Sequence, residues 1–179
     1  MSQWDKLYDL WEFSKEKILK DGNSWDISYS FTMEAGNPNP VSYLFFTFGE
    51  DESIHPSYRK VNVIDTGNQP INLTVSTLVN PTGDVLGEDI SDKIINSNLD
   101  ISNTFNFNMY DETTTLTDEG TRVPFSSTIV SERKLASSDY IEREYIAPKG
   151  GTIAIKFENK GAGSVFIEYM AGGHRVKLL

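Results

Sequence analysis

Two different periods run through the chain. Over residues 4–19, Trp4, Leu7, Tyr8, Trp11 and Ile18 recur near every 3.6 positions, and Leu10, Phe13 and Leu19 widen the apolar side. That spacing predicts an amphipathic helix about 24 Å long. Ser2 stands where an N-cap belongs, and Gly22 where such a helix stops. Glu12 precedes Lys15 by three positions and Glu16 precedes Lys20 by four, which places opposite charges side by side on the helix surface.

From Trp25 the period becomes two. Ile27, Tyr29, Phe31 and Met33 alternate with Ser28, Ser30, Thr32 and Glu34, the pattern of a strand with one buried face. The segment 41–48, VSYLFFTF, is apolar at both parities and predicts an interior strand covered on both sides. A run around 58–65 and the alternating 71–79 follow, closed by Gly67-Asn68-Gln69-Pro70 and Asn80-Pro81-Thr82-Gly83-Asp84. Residues 87–100 form a second helix candidate, with Ile90, Ile94 and Ile95 on one side and acidic residues at its start. Further strands are expected at 104–110, 113–117 and 123–130, where Pro124 favours a sheet edge. The last third reads as strands 139–147, 151–159 and 164–170, with 174–179 as one more. Pro148-Lys149-Gly150 joins the first two, and Gly161-Ala162-Gly163-Ser164 reads as a hairpin turn.

Roughly nine or ten short strands and no βαβ alternation define a mainly β chain. The expected architecture is an antiparallel β-sandwich, of which the jelly roll is one form, with an N-terminal amphipathic α-helix. Residues 1–22 would be the helical arm and 23–179 the sandwich domain.

Composition narrows the chemistry. The 179 residues carry 16 Lys+Arg against 26 Asp+Glu, so 16 − 26 gives a net charge of −10. Such a surface repels nucleic acid and anionic lipid, so neither is expected as a partner. There is no cysteine, which removes disulfide scaffolds, cysteine-ligated metals and thiol catalysis. No stretch approaches the roughly 20 apolar residues of a membrane-spanning helix. Asp5, Lys6, Asp9 and Glu12 interrupt any leader-like apolar run. The expectation is a soluble chain made in a host cytoplasm.

No residue set announces a reaction. Only His55 and His174 are available for a zinc site, and His55 with Glu50, Asp51 and Glu52 reads as one solvated acidic loop. Asp84 with Glu88 and Asp89, Asp111-Glu112 and Asp118-Glu119 are acidic loop pairs of the kind that can hold calcium, without the EF-hand spacing. No Gly-x-Ser-x-Gly or phosphate-binding loop motif occurs. The chain is therefore read as non-enzymatic and without a cofactor. Tyr29, Phe31, Tyr43, Phe45, Phe46 and Phe48 fill the space between two sheets or, exposed, would stack on sugars. The arm either folds across its own sandwich or seats Trp4 and Trp11 in a groove of a neighbouring subunit.

This layout resembles the accessory structural proteins of tailed-phage virions, namely capsid decoration or cement proteins and head or tail attachment proteins. The stretch Tyr145 to Asn159, YIAPKGGTIAIKFEN, looks like the paired late strands of many jelly-roll and carbohydrate-binding modules. The resemblance implies a structural virion protein acting through subunit contacts with other virion proteins, capsid or tail subunits. It also implies a homo-oligomer, with a trimer the leading state, located in the virion. Trp4, Leu7, Tyr8, Trp11 and Ile18 would be the partner-binding residues. The alternative it leaves open is a carbohydrate-binding or adhesin-type sandwich module.

Overall fold

Alternation of apolar and polar residues becomes alternation of inside and outside. In β1 (Ser24–Met33), Trp25, Ile27, Phe31 and Met33 are buried while Ser28, Ser30 and Thr32 face outward. β2 (Val41–Phe48) is buried at both parities from Leu44 to Phe46, β3 (Ser53–Asp65) alternates from Arg59 to Asp65, and β4 (Ile71–Val79) is buried at both parities from Leu73 to Leu78. Then come β5 (Thr82–Val85), a single 3₁₀ turn (Ser91–Lys93), β6 (Ile94–Asn96), β7 (Phe107–Tyr110) and β8 (Thr115–Asp118). The chain finishes with β9 (Thr121–Ser131), β10 (Leu135–Tyr140), β11 (Thr152–Asn159) and β12 (Val165–Val176). This computed structural model describes residues 21–36, 38–51, 53–66, 69–98, 105–131, 135–140, 147 and 149–176. Of these, 124–128, 130–131, 135–140 and 176 are described as backbone only. The expected helix of the 1–22 arm lies outside the described residues, apart from its last two positions.

The strands form two five-stranded sheets, in the orders β10-β3-β12-β1-β6 and β7-β2-β11-β4-β9, and a small β5-β8 pair. Every pairing of named strands is antiparallel. From β1 to β4, and again from β9 to β12, each strand lies in the opposite sheet from the one before it. The two inner faces share one apolar core. Phe157 of the second sheet is wholly buried and sits edge-on to Phe31 and Tyr169 of the first, with ring centroids 5.2 and 6.0 Å away. Trp25 meets Phe107 in the same way at 5.4 Å. These T-shaped contacts place the positive ring edge against the negative face. One polar link crosses the core, where buried Arg59 donates from Nη1 to Thr77 Oγ1 at 2.8 Å.

The two sheets meet at both flanks. On one side β9 and β10 lie against each other. On the other, residues 88–96 bridge from β7 to β1: Ile90 N–H donates to Met109 O (2.8 Å), Met109 N–H to Ser91 Oγ (3.0 Å) and Asp111 N–H to Glu88 O (3.0 Å). Tyr29 Oη adds a 2.6 Å bond to Glu112. This region was expected to be a helix over 87–100. It forms an isolated bridge at Asp89, the 3₁₀ turn and β6 instead. Its backbone is drawn into ladders with β7 and β1, and these outweigh the weak helical preference of a segment rich in Asn, Ser and Asp.

A second correction concerns the late strands. β11 and β12 do not form a hairpin: β11 pairs with β2 and β4, and β12 with β1 and β3. The link 160–164 is a corner between sheets, organised by the wholly buried Asn159. Its side chain donates to Gly163 O (3.0 Å) and accepts from Gly161 N–H (3.0 Å). Other expectations hold. β2 is an interior strand covered on both faces, and Pro124 lies in an edge strand, β9.

At Gly173 the neighbouring backbone comes too close for a side chain. β12 bulges against β3 between Gly172 and Gly173, and a Cβ on Gly173 would stand 2.0 Å from His55 O and 2.8 Å from the Trp25 ring. The core itself makes the measurable forecast. Phe157→Ala is expected to lower the unfolding free energy by about 3–5 kcal/mol, read by denaturant titration with an unchanged slope.

Candidate functional site

The interior cavity lined by Trp25, Ile54, Arg59 and Phe107 measures about 30 Å³, space for one or two waters. The sequence-predicted aromatics mostly fill this core: Phe31, Phe46 and Phe48 point into it, and Trp25 is 4% exposed.

The outer face of the second sheet is built differently. Phe45, Leu78 and Ala154 make a second, smaller apolar cluster there, covered by Leu116 of β8 and flanked by Tyr43 and Tyr110. The β5-β8 pair therefore sits as a pad on the sheet, and beside it opens a polar cleft of about 70 Å³. Its floor is β4, with Thr74 and Ser76 8% and 3% exposed beside Leu78. One wall is β11, with Lys156 and Glu158, continued by Lys160. The other is Arg122 of β9 and Glu119 of the preceding turn. That turn depends on Gly120, whose φ of 64° and approach to Val79 O (2.4 Å for an added Cβ) admit no side chain.

Glu119 is the electrostatic centre of the cleft. It accepts from Tyr43 Oη at 2.7 Å and from Lys156 Nζ at 2.5 Å. Burial alone pushes its carboxyl up, but the bonds from Lys156 and Tyr43, with the charges of Lys156 and Arg122, outweigh burial and hold it below its usual range. Tyr43 responds in the opposite sense: burial and the carboxylate it serves hold its phenol well above the ordinary tyrosine range. Lys160 pairs with Glu158 at 3.2 Å. On the first sheet, Tyr58 Oη donates to Asp26 at 2.8 Å, and burial plus this bond push its phenol up to about 12.

The residues singled out from sequence fall as follows. Trp4, Leu7, Tyr8, Trp11 and Ile18 lie outside the described residues. His55 is not part of an acidic loop; it lies in β3 directly opposite His174 of β12, rings stacked at 5.1 Å, with Ser57 Oγ 3.3 Å from His174 Nδ1. Among the described residues no three His, Asp or Glu side chains converge on a metal position. The acidic loop pairs serve turns instead. Asp111 accepts from Glu88 N–H and from Thr113 N–H and Oγ1, Asp89 accepts from Ser91, and Asp118 from Gly120 N–H. No helix among the described residues is long and apolar enough to cross a membrane.

The cleft was not anticipated. Its charged members come from positions 119, 122, 156, 158 and 160, and only the fold brings the two groups together. The available signal was local: Lys156 and Glu158 alternate with the buried Ile155 and Phe157 of β11, which marks their side as solvent-facing.

No protein-family model matches the chain, and no curated protein does. Among solved structures it is similar to the Nora virus structure at 7% identity and a TM-score of 0.25, over 85% of this chain and 57% of that one. It is also similar to the structure of infectious bursal disease virus, Gt strain, at 9% identity and a TM-score of 0.22, over 87% of this chain and 40% of that one. The chain thus spans about half the length of the structures it matches.

The ion pair yields a pH prediction. A carboxyl whose folded value lies below its unfolded 4.5 stabilises the fold above 4.5 and loses that contribution as pH falls through the folded value. The Glu119 side chain is 46% exposed, so solvent screening limits the effect to about 1 kcal/mol or less. Wild type should exceed Glu119→Gln by that margin near neutrality in denaturant titrations. The gap should close as the pH falls below 4.5 and through the folded value.

Proposed function

We propose that this chain is a non-enzymatic structural protein of a virion, acting through contacts between subunits. The observation that carries the reading is the winding of eight strands, β1-β12-β3-β10 in one sheet facing β2-β11-β4-β9 in the other. This is the double-sheet order of a jelly roll, an architecture used by viral shells, lectins and cupins. Fold alone does not choose among them. The interior favours the first: among the described residues it is packed with Phe, Ile, Leu and Val, and the cavity between the sheets measures about 30 Å³, small beside a cupin's chamber. A body packed in this way acts through its surface.

In the finer form of the proposal the protein decorates or cements a tailed-phage capsid, or joins head to tail. The arm 1–22 then seats Trp4, Leu7, Tyr8, Trp11 and Ile18 on a neighbouring subunit, with a trimer as the expected oligomer. Buried tryptophans are the usual energetic anchors of such contacts. A carbohydrate-binding module is the second reading, favoured by the hydroxyl-floored cleft beside Tyr43.

Particle association tests the first reading. Trp11→Ala is expected to abolish co-sedimentation with purified particles while leaving the thermal midpoint of the β domain unchanged. Equal occupancy of variant and wild type on particles would overturn the role given to the arm. A wild-type chain that stays monomeric and never travels with particles would overturn the virion assignment.

A further inference from the structure

The cleft on the outer face of the second sheet has a composition at odds with the rest of the molecule. The chain carries a net charge of −10, yet among the described residues the cleft gathers three cations, Arg122, Lys156 and Lys160, against two carboxylates, Glu119 and Glu158. Two ammonium groups with three N–H each and a guanidinium with five make the rim rich in donors. The carboxylates engage one lysine each, Lys156 at 2.5 Å and Lys160 at 3.2 Å. The floor adds the hydroxyls of Thr74 and Ser76, and the space of about 70 Å³ corresponds to about five waters. That volume suits a compact acceptor-rich group rather than an apolar side chain.

We propose that this cleft binds an anionic group, a phosphate ester or a carboxylate, presented on a sugar. Charge-assisted bonds from the lysines and a forked guanidinium select a planar or tetrahedral oxyanion. Glu119 keeps Lys156 upright at the mouth, and Glu158 does the same for Lys160. The hydroxyl floor and the two carboxylates can meet the hydroxyls of the sugar that carries the anion. The β5-β8 pad and the Gly120 turn fix one wall, so the site is held by sheet and turn rather than by a free loop.

The test is amide NMR on the full chain at constant ionic strength, titrated separately with glucose 6-phosphate, glucuronate and glucose. Saturable shifts centred on Ser76, Leu78, Arg122 and Lys156 are expected with at least one of the two anions and not with glucose. Saturation by the phosphate alone assigns a phosphate ester, and by glucuronate alone a uronate. Arg122→Gln combined with Lys160→Gln should weaken binding about tenfold or more. Both residues are at the surface, so the variant's spectrum elsewhere should match wild type. Shifts that are linear and scattered, that glucose reproduces, or that persist in the double variant would show a solvated ion-pair cluster only and overturn the site. Particle association is read by a different variant, Trp11→Ala, so the two assignments fail separately.

Discussion

The inner faces of the two sheets have to be buried against each other, and the order of the chain makes that requirement absolute. Apart from β4 and β9, no long strand is hydrogen-bonded to the long strand next to it in sequence, because from β1 to β4 and from β9 to β12 each connection carries the chain across to the other layer. Neither sheet can therefore grow as a local meander that later finds a partner. Backbone pairing and side-chain burial must be satisfied together, around Phe31, Phe157 and Tyr169. Such long-range pairing costs loop entropy before contacts reward it, so slow folding goes with this topology.

The period-two signal made the strands legible because one-sided burial writes itself into side-chain alternation. β1 and β4 read directly, and β2 announced its two-sided burial through Phe45 and Phe46 at successive positions. What alternation cannot carry is partnership. Gly161-Ala162-Gly163 looks the same whether the chain folds back on its own sheet or crosses to the other. Asn159 decides the matter through bonds to residues beyond it. The 87–100 segment misled for a related reason. Its three isoleucines suit a helical face, but Ile90 and Ile94 are buried across the flank of the two sheets while Ile95 is 49% exposed on an edge strand.

The candidate site was less legible than the fold. Glu119 looked like one of several acidic loop residues, and its partners Tyr43 and Lys156 are far away in sequence. Their meeting requires the second sheet to be assembled and the β5-β8 pad to be in place. The histidines show the same dependence: two isolated residues become a stacked cross-strand pair only through the β3-β12 register. Three of the carboxylates that suggested a metal in the linear sequence, Asp89, Asp111 and Asp118, accept hydrogen bonds from nearby backbone N–H groups and hydroxyls, which stabilises their loops.

The central strand of each large sheet comes late in the chain: β11 separates β2 from β4, and β12 separates β3 from β1. A ribosome that has synthesised everything up to Gly151 has supplied ten strands and the midline of neither layer. Up to that moment the nascent polypeptide holds only disconnected pairs, β10 with β3, β1 with β6, β7 with β2, β4 with β9 and β5 with β8. Closure of both layers therefore waits for the synthesis of β11 and β12, and a premature stop codon anywhere before β11 would leave a product with no keystone rather than a slightly smaller version of the same body.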